Sequence, residues 1–150
     1  MADKDRTPQV VHEAEVKMVG PGYDEEHYIT VPIKPFYEID GLGHIGVSHM
    51  EPGQETCVFS LEEEDDHTAL HYYGPVDEFY YILDGEFTVW WGNDASNLEH
   101  SYRLKKGDCT YYPTGWKYKV KNTGSTPGKF LYFMSQPEGT KTRLDKDPNR

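Results

Sequence analysis

A chain of 150 residues fits one domain, which is long enough to bury about two thirds of the surface exposed on unfolding. Its formal charge of -11 argues against nucleic acid or anionic lipid as a partner, because Lys and Arg dominate binding to both. No apolar run approaches the ~20 residues of a membrane span, and the first ten residues lack the basic-then-apolar order of a signal peptide. We therefore expect a cytoplasmic protein with no membrane or nucleic-acid partner.

Short strands separated by turn residues follow one another along the chain, at intervals of about 8 to 12 residues. Their alternating residues predict strands at 28–31, 41–50, 57–60, 78–83, 86–91, 109–112, 118–121 and 129–134. No stretch has the 3.6-residue period of an amphipathic helix. The pattern predicts an all-β domain built as a closed barrel or a sandwich.

The composition divides the chain into three segments. Residues 1–19 are polar, and we expect an N-terminal arm or an edge strand that pairs with another subunit. Residues 20–135 hold all of the expected strands and form the barrel, and the polar, proline-bearing residues 136–150 are a tail. Five consecutive acids at 62–66 are interpreted as a solvated loop, since they lack the glycine and the spacing of an EF-hand.

One carboxylate stands on the strand at the centre of this pattern. Side chains two residues apart share a face of a strand, so Glu78 points the same way as Tyr80 and Ile82. The dipeptide Asp84-Gly85 then favours a tight hairpin turn, because glycine adopts the positive φ that such turns require. We therefore expect Glu78 inside, or at the mouth of, an antiparallel sheet.

Two stretches between His71 and Asn122 resemble the motifs of the cupin superfamily. The first cupin motif has a His, a second His two residues later, a Glu five residues after that, and a Gly that six residues separate from the Glu. The second motif has a Gly, five residues, Pro-x-Gly, two residues, a His, three residues and an Asn. The residues of this chain that match are His71, Glu78, Gly85, Gly107, Pro113, Gly115 and Asn122. The resemblance implies a jelly-roll β-barrel, also called a double-stranded β-helix.

Two positions depart from these motifs. Tyr73 stands where the second His of the first motif belongs, and Tyr118 replaces the His of the second motif. The resemblance implies a site of three His and one Glu around Fe, Mn, Zn or Ni, of which this chain retains His71 and Glu78. A phenol with a pKa near 10 must lose its proton before it binds a metal well, so the replacements weaken a site for Zn or Ni. They need not abolish a site for Fe, because tyrosine can serve as an iron ligand.

Two kinds of chemistry follow from these residues. In the first, His71 and Glu78 hold one divalent transition metal together with one or more of Tyr118, Tyr73 and Tyr80, and the metal polarises a carbonyl or activates dioxygen. In the second there is no metal, and Glu78 acts with Tyr80, Tyr118 or Tyr73 as an acid/base pair, since burial raises the pKa of a glutamate. Either chemistry predicts an enzyme of lyase, isomerase or oxygenase type, and the alternative is a non-catalytic binding protein with a degenerate metal site.

The substrate is expected to be a small organic molecule, an aromatic compound or a keto acid, because tyrosines and tryptophans are abundant. Thr110 and Tyr112 share one face of their strand and are predicted to line the pocket. Trp116 is predicted at the mouth and His49 inside the cavity. We also expect a homodimer, and we expect the two cysteines to stay reduced, since they form no CxxC pair.

Overall fold

The structure is a computed structural model that describes residues 7–23, 28–29, 31–39, 41–61, 71–72, 76–135 and 143–144. These ranges are nearly all β, as expected, and their only helix is a 3₁₀ turn at Glu13–Glu15. The described part of the chain has no helix with the length and hydropathy of a membrane span. Its strands are β1 (Gly22–Tyr23), β2 (Tyr28–Ile29), β3 (Ile33–Ile39), β4 (Gly43–Met50), β5 (Phe59–Ser60), β6 (His71–Tyr72), β7 (Glu78–Asp84), β8 (Glu86–Gly92), β9 (His100–Lys105), β10 (Cys109–Tyr112), β11 (Lys117–Asn122), β12 (Gly128–Ser135) and β13 (Arg143–Leu144).

Two sheets enclose the core. The five-stranded sheet has the order β10-β7-β12-β4-β3, and the six-stranded sheet has the order β13-β6-β5-β11-β8-β9. Aromatic rings from the two sheets meet between them: the Phe87 and Phe130 ring centroids are 5.3 Å apart, and those of Tyr112 and Tyr118 are 5.0 Å apart. Because apolar side chains from both sheets share one buried cluster, the core lies between the sheets.

Strand β3 was not predicted from the sequence. Its Pro35 lacks a backbone N–H, so a proline in an alternating segment argues against a strand. In the structure β3 is the edge strand of its sheet, where a missing donor is tolerated, and its register shifts between Pro35 and Tyr37. The strand expected at 57–60 is shorter than predicted, since only Phe59–Ser60 pairs.

The described part of the N-terminal arm packs against its own chain. Val19 exchanges two backbone hydrogen bonds with Ile33 of β3, of 2.8 and 2.9 Å. Lys129 Nζ lies 2.6 Å from Glu13 Oε1, which connects the 3₁₀ turn to the outer face of β12. The acidic run at 62–66 lies outside the described residues, as does the tail apart from the backbone of β13. Both cysteines are free, and Cys57 is partly buried while Cys109 is exposed.

Two turn glycines with positive φ give a matched pair of predictions. Gly85, between β7 and β8, has a φ of 82°, and a Cβ there would lie 2.7 Å from the Cα of Gly128. Gly107, between β9 and β10, has a φ of 93°, and a Cβ there would meet nothing within 4 Å. Both Gly→Ala variants strain the backbone, but only Gly85→Ala adds a clash with backbone atoms. We expect urea unfolding to show that the free energy of unfolding falls by about 1 kcal/mol in Gly107→Ala and by about 2 kcal/mol in Gly85→Ala. Equal losses would contradict the clash.

Candidate functional site

Glu78 lies on the inner face of the five-stranded sheet. Its cross-strand neighbours are Tyr112 on β10 and Met134 on β12. The alternation predicted from the sequence is confirmed, since Glu78 and Tyr80 are 4% and 7% exposed while Phe79 between them is 40% exposed. The carboxyl group is therefore inside the barrel and not on its surface.

The environment of Glu78 favours the uncharged carboxylic acid. Burial raises the pKa of Glu78 to about 8, and a hydrogen bond with Tyr80 only partly opposes this shift. Its Oε1 atom is buried and has no hydrogen-bond partner within the described residues. A buried polar atom left without a partner costs roughly 1 to 3 kcal/mol, so this arrangement is expensive for a purely structural residue.

Three buried tyrosines surround the carboxyl group. Burial raises the pKa values of Tyr112, Tyr118 and Tyr132, and the negative charge of an ionised Glu78 would raise each of them further. All three phenols therefore keep their protons near neutral pH. The hydroxyl of Tyr112 is buried without a hydrogen bond of normal geometry in the described residues. The site thus combines one protonated carboxyl group with several phenolic donors.

Of the expected metal ligands His71, Glu78 and Tyr118, the structure describes the side chains of Glu78 and Tyr118. Tyr118 donates its hydroxyl to the Pro113 carbonyl and stays protonated, so it is a poor metal ligand. Of His71 the structure describes only the backbone at the start of β6, and Tyr73 lies outside the described residues. Within those residues no three His, Cys, Asp or Glu side chains are grouped as metal ligands would be.

The described residues also form an aromatic cavity of about 280 Å³. The residues that line it are Trp91, Tyr102, Tyr111, Pro113, Trp116 and Tyr118. Trp116, predicted at the mouth, is therefore one of its walls, and so is Tyr118. The indole rings of Trp91 and Trp116 are perpendicular, with centroids 5.0 Å apart. We call this space the aromatic cavity below.

The wall of the aromatic cavity connects to Glu78 through one aromatic ring. Tyr118 in the wall contacts Tyr112, and Tyr112 is the cross-strand neighbour of Glu78. Thr110 and Tyr112 face inward, as predicted, but they stand behind the wall instead of lining it. Thr110 shares a hydrogen bond with the hydroxyl of the wall residue Tyr102.

The structure places His49 away from Glu78. Lys129 is its cross-strand partner, while the neighbouring Phe130 belongs to the core, so His49 and Lys129 share the outer face. There the His49 Nε2 lies 3.7 Å from Glu13 Oε1, too far for a hydrogen bond. The histidine of β4 on the inner face is His44, whose Nε2 is 3.1 Å from the Tyr132 hydroxyl.

Three aromatic residues of the cavity wall were not predicted from the sequence. Trp91 and Tyr102 lie on strands β8 and β9, whose faces the sequence did not assign to the cavity. The alternation of β10 placed Tyr111 on the outer face, where it is indeed exposed and stacks on Phe79 at 4.9 Å. Tyr111 also lines the cavity, because β10 ends at Tyr112, next to the lining residue Pro113. No pattern along the chain signals a contact of this kind.

Solved structures with the same fold support the two-sheet architecture. KdgF from Halomonas sp. superposes with a TM-score of 0.62 at 15% identity, covering 88% of this chain and 96% of that chain. An uncharacterised conserved protein with a double-stranded β-helix domain from Klebsiella pneumoniae gives 0.59 at 20% identity, covering 94% and 100%. A protein described as a predicted oxalate decarboxylase, from Thermotoga maritima, gives 0.58 at 17% identity, covering 85% and 99%. The expected jelly-roll, double-stranded β-helix fold is confirmed.

The sequence itself matches a family model. No curated protein matches this chain. The model described as "Cupin domain" matches residues 46–134, a range that contains both motif stretches and the walls of the aromatic cavity. Because this match covers more than half of the chain and agrees with the fold, the chain belongs to the cupin family.

Proposed function

We propose that this cupin binds a small organic molecule in the aromatic cavity and that Glu78 moves a proton on it without a metal. The observation that carries the proposal is the buried Oε1 of Glu78, which lacks a hydrogen-bond partner in the described residues. A pKa of about 8 keeps both the acid and the carboxylate populated near neutral pH. Groups perturbed in this way by burial are concentrated at functional sites.

The chemistry that fits these groups is proton abstraction next to a carbonyl. The Glu78 carboxylate takes a proton from the carbon beside the carbonyl, and the electron pair of that C–H bond moves onto the carbonyl oxygen. A phenol such as Tyr112 stabilises the resulting oxyanion by donating a hydrogen bond. If the deprotonated carbon also carries a hydroxyl group, that hydroxyl passes its proton to the oxyanion and becomes the new carbonyl, while Glu78 returns its proton to the former carbonyl carbon, which completes an isomerisation. If the next carbon carries a leaving group, that group departs with its bonding electrons, the enolate reforms the carbonyl with a new C=C bond, and the elimination is complete. Neither reaction needs an oxidant.

A non-catalytic binding protein is the second candidate. It is favoured by the position of Tyr112 and Tyr118, which stand between the aromatic cavity and Glu78. For catalysis, one of these rings must rotate when the ligand binds, whereas binding alone requires no such movement. The cytoplasmic location and the homodimer stay predictions under both candidates.

Deuterium exchange separates the two candidates. Small ketones and aldehydes are incubated with the protein in D₂O, and NMR measures the loss of protons next to the carbonyl. We expect exchange above the solvent rate that falls at least about 100-fold in Glu78→Gln, the size typical of losing a general base. Tyr81→Phe is the control, because Tyr81 is exposed on the outer face of the same strand.

Either of two results would count against the catalytic proposal. Exchange that survives in Glu78→Gln would remove Glu78 from the reaction. Binding of library compounds without any exchange would favour the non-catalytic candidate.

A further inference from the structure

We infer that the aromatic cavity binds a methylated ammonium group, so that the ligand of this cupin is a cation and not the keto acid considered from the sequence. The inference rests on the part of the proposed function that places the ligand in this cavity. It is independent of the chemistry proposed for Glu78.

The walls of the cavity are mostly aromatic. Five of the six lining residues are aromatic, two of them tryptophans, and the sixth is Pro113. The face of an aromatic ring carries partial negative charge and attracts a cation, most strongly for tryptophan. A methylated ammonium group spreads its charge over apolar methyl groups, so it loses less hydration on entering such a cavity than a bare ammonium ion does.

The arrangement of the rings favours a rounded group over a flat one. Trp91 and Trp116 meet at 90° and form a corner. A flat aromatic ligand is bound best in a slot between parallel rings, where it stacks on both sides. A group of roughly tetrahedral shape, such as trimethylammonium, can contact both planes of a corner at once.

The lining residues and one neighbouring carboxylate also favour a cation over an anion. None of the lining residues is Lys or Arg, so the wall has no charged partner for the carboxylate of a keto acid. The Tyr111 hydroxyl donates a 2.7 Å hydrogen bond to the Asp77 carboxylate, which places a negative charge next to one wall residue. The formal charge of the whole chain, -11, adds to the attraction for a cation.

Choline and its uncharged carbon analogue 3,3-dimethyl-1-butanol test the inference on the full-length protein. The two molecules have nearly the same shape and differ in charge, and 3,3-dimethylbutanoate supplies the anion. We expect isothermal titration at constant ionic strength to show choline binding at least about tenfold more tightly than the alcohol, with the anion weaker still. The indole N–H resonances of Trp91 and Trp116 should shift with choline, whereas that of Trp90 should not.

Variants of the wall supply matched controls. Trp116→Leu keeps an apolar side chain but removes the π face, and we expect it to lower choline affinity at least about tenfold while Trp116→Phe loses less. Trp90→Phe should bind as the wild type does, since Trp90 is next to Trp91 in sequence but does not line the cavity. Tyr81→Phe, on the outer face of β7, should also bind choline as the wild type does.

Three results would overturn the inference. The alcohol could bind as tightly as choline, which would make the cavity merely apolar. The anion could bind most tightly, or choline could fail to bind at millimolar concentration. If one of these occurs while Glu78-dependent exchange is seen on an uncharged carbonyl compound, the proposed function survives without the cation. If choline binds and no exchange is found, the inference survives without the catalysis.

Discussion

Glu78→Gln is expected to remove about 3 kcal/mol of pH dependence from the free energy of unfolding between about pH 5.5 and pH 8.5. Burial raises the pKa of Glu78 from 4.5 to about 8 in the folded protein, so the folded state holds this proton across a range where the unfolded chain releases it. The stabilisation from this proton is fully present below the unfolded pKa and is lost as the pH rises through the folded pKa. Glutamine has the same shape and no titrating proton, so its variant lacks this loss.

Urea unfolding of both proteins at the two pH values measures the effect. The quantity to compare is the difference between wild type and variant, because all other titrating groups cancel in it. Glu86→Gln, which removes an exposed carboxylate from the adjacent strand β8, serves as the control. Its free energy of unfolding should depend on pH almost as that of the wild type does. Parallel pH profiles for wild type and Glu78→Gln would show that the carboxyl group is not held in a low-dielectric site.

Asn122→Ala is expected to lower the free energy of unfolding by about 3 kcal/mol. This motif residue is fully buried at the end of β11. Its Nδ2 donates to the carbonyls of Met50 and Thr126 at 2.8 and 3.0 Å, and its Oδ1 accepts from the Gly124 N–H at 3.0 Å. The side chain therefore joins the end of β4 to the turn between β11 and β12, and its removal leaves buried backbone groups without partners.

Two further variants test whether the expected loss of stability comes from the hydrogen bonds of Asn122. Asn93→Ala removes an exposed asparagine and should stay within about 0.5 kcal/mol of wild type. Asn122→Asp keeps an acceptor for Gly124 but sets an oxygen against two carbonyls, so it should cost at least as much as alanine. Denaturant midpoints at one pH are sufficient for the comparison. A loss below about 1 kcal/mol for Asn122→Ala would mean that solvent replaces these hydrogen bonds.

The local part of the candidate site could be predicted from sequence. The period of two along β7 puts Glu78 on the face of Tyr80 and Ile82, and the burial of all three confirms it. Both ends of strand β10 were predicted correctly, because Gly107 and Pro113 mark the limits of an alternating segment. These features depend on residues that are neighbours in the chain, and a single strand with its turns is enough to specify them.

The two histidines of β4 could not be assigned to a face of the sheet from the sequence. Their odd spacing requires His44 and His49 to face opposite sides, but it does not say which side is the interior. The pairing of β12 with β4 decides this. Phe130 is a core residue and pairs with Ser48, and paired residues share a face of the sheet, so the even-numbered residues of β4 face the core. His49, predicted inside the cavity from the sequence, therefore lies on the outer face near Glu13.

By itself the sequence determined the all-β class, the turn positions, the family motifs and the strand face that Glu78 shares with Tyr80 and Ile82. Only the tertiary structure decided that β3 continues through Pro35 at a sheet edge, and that three strands and a loop supply Trp91, Tyr102, Tyr111 and Trp116 to one cavity. The physical reason is the range of the interactions. Strand alternation and turn geometry act between neighbouring residues, whereas a cavity wall is made of contacts between residues far apart in the chain, which exist only after the sheets have packed.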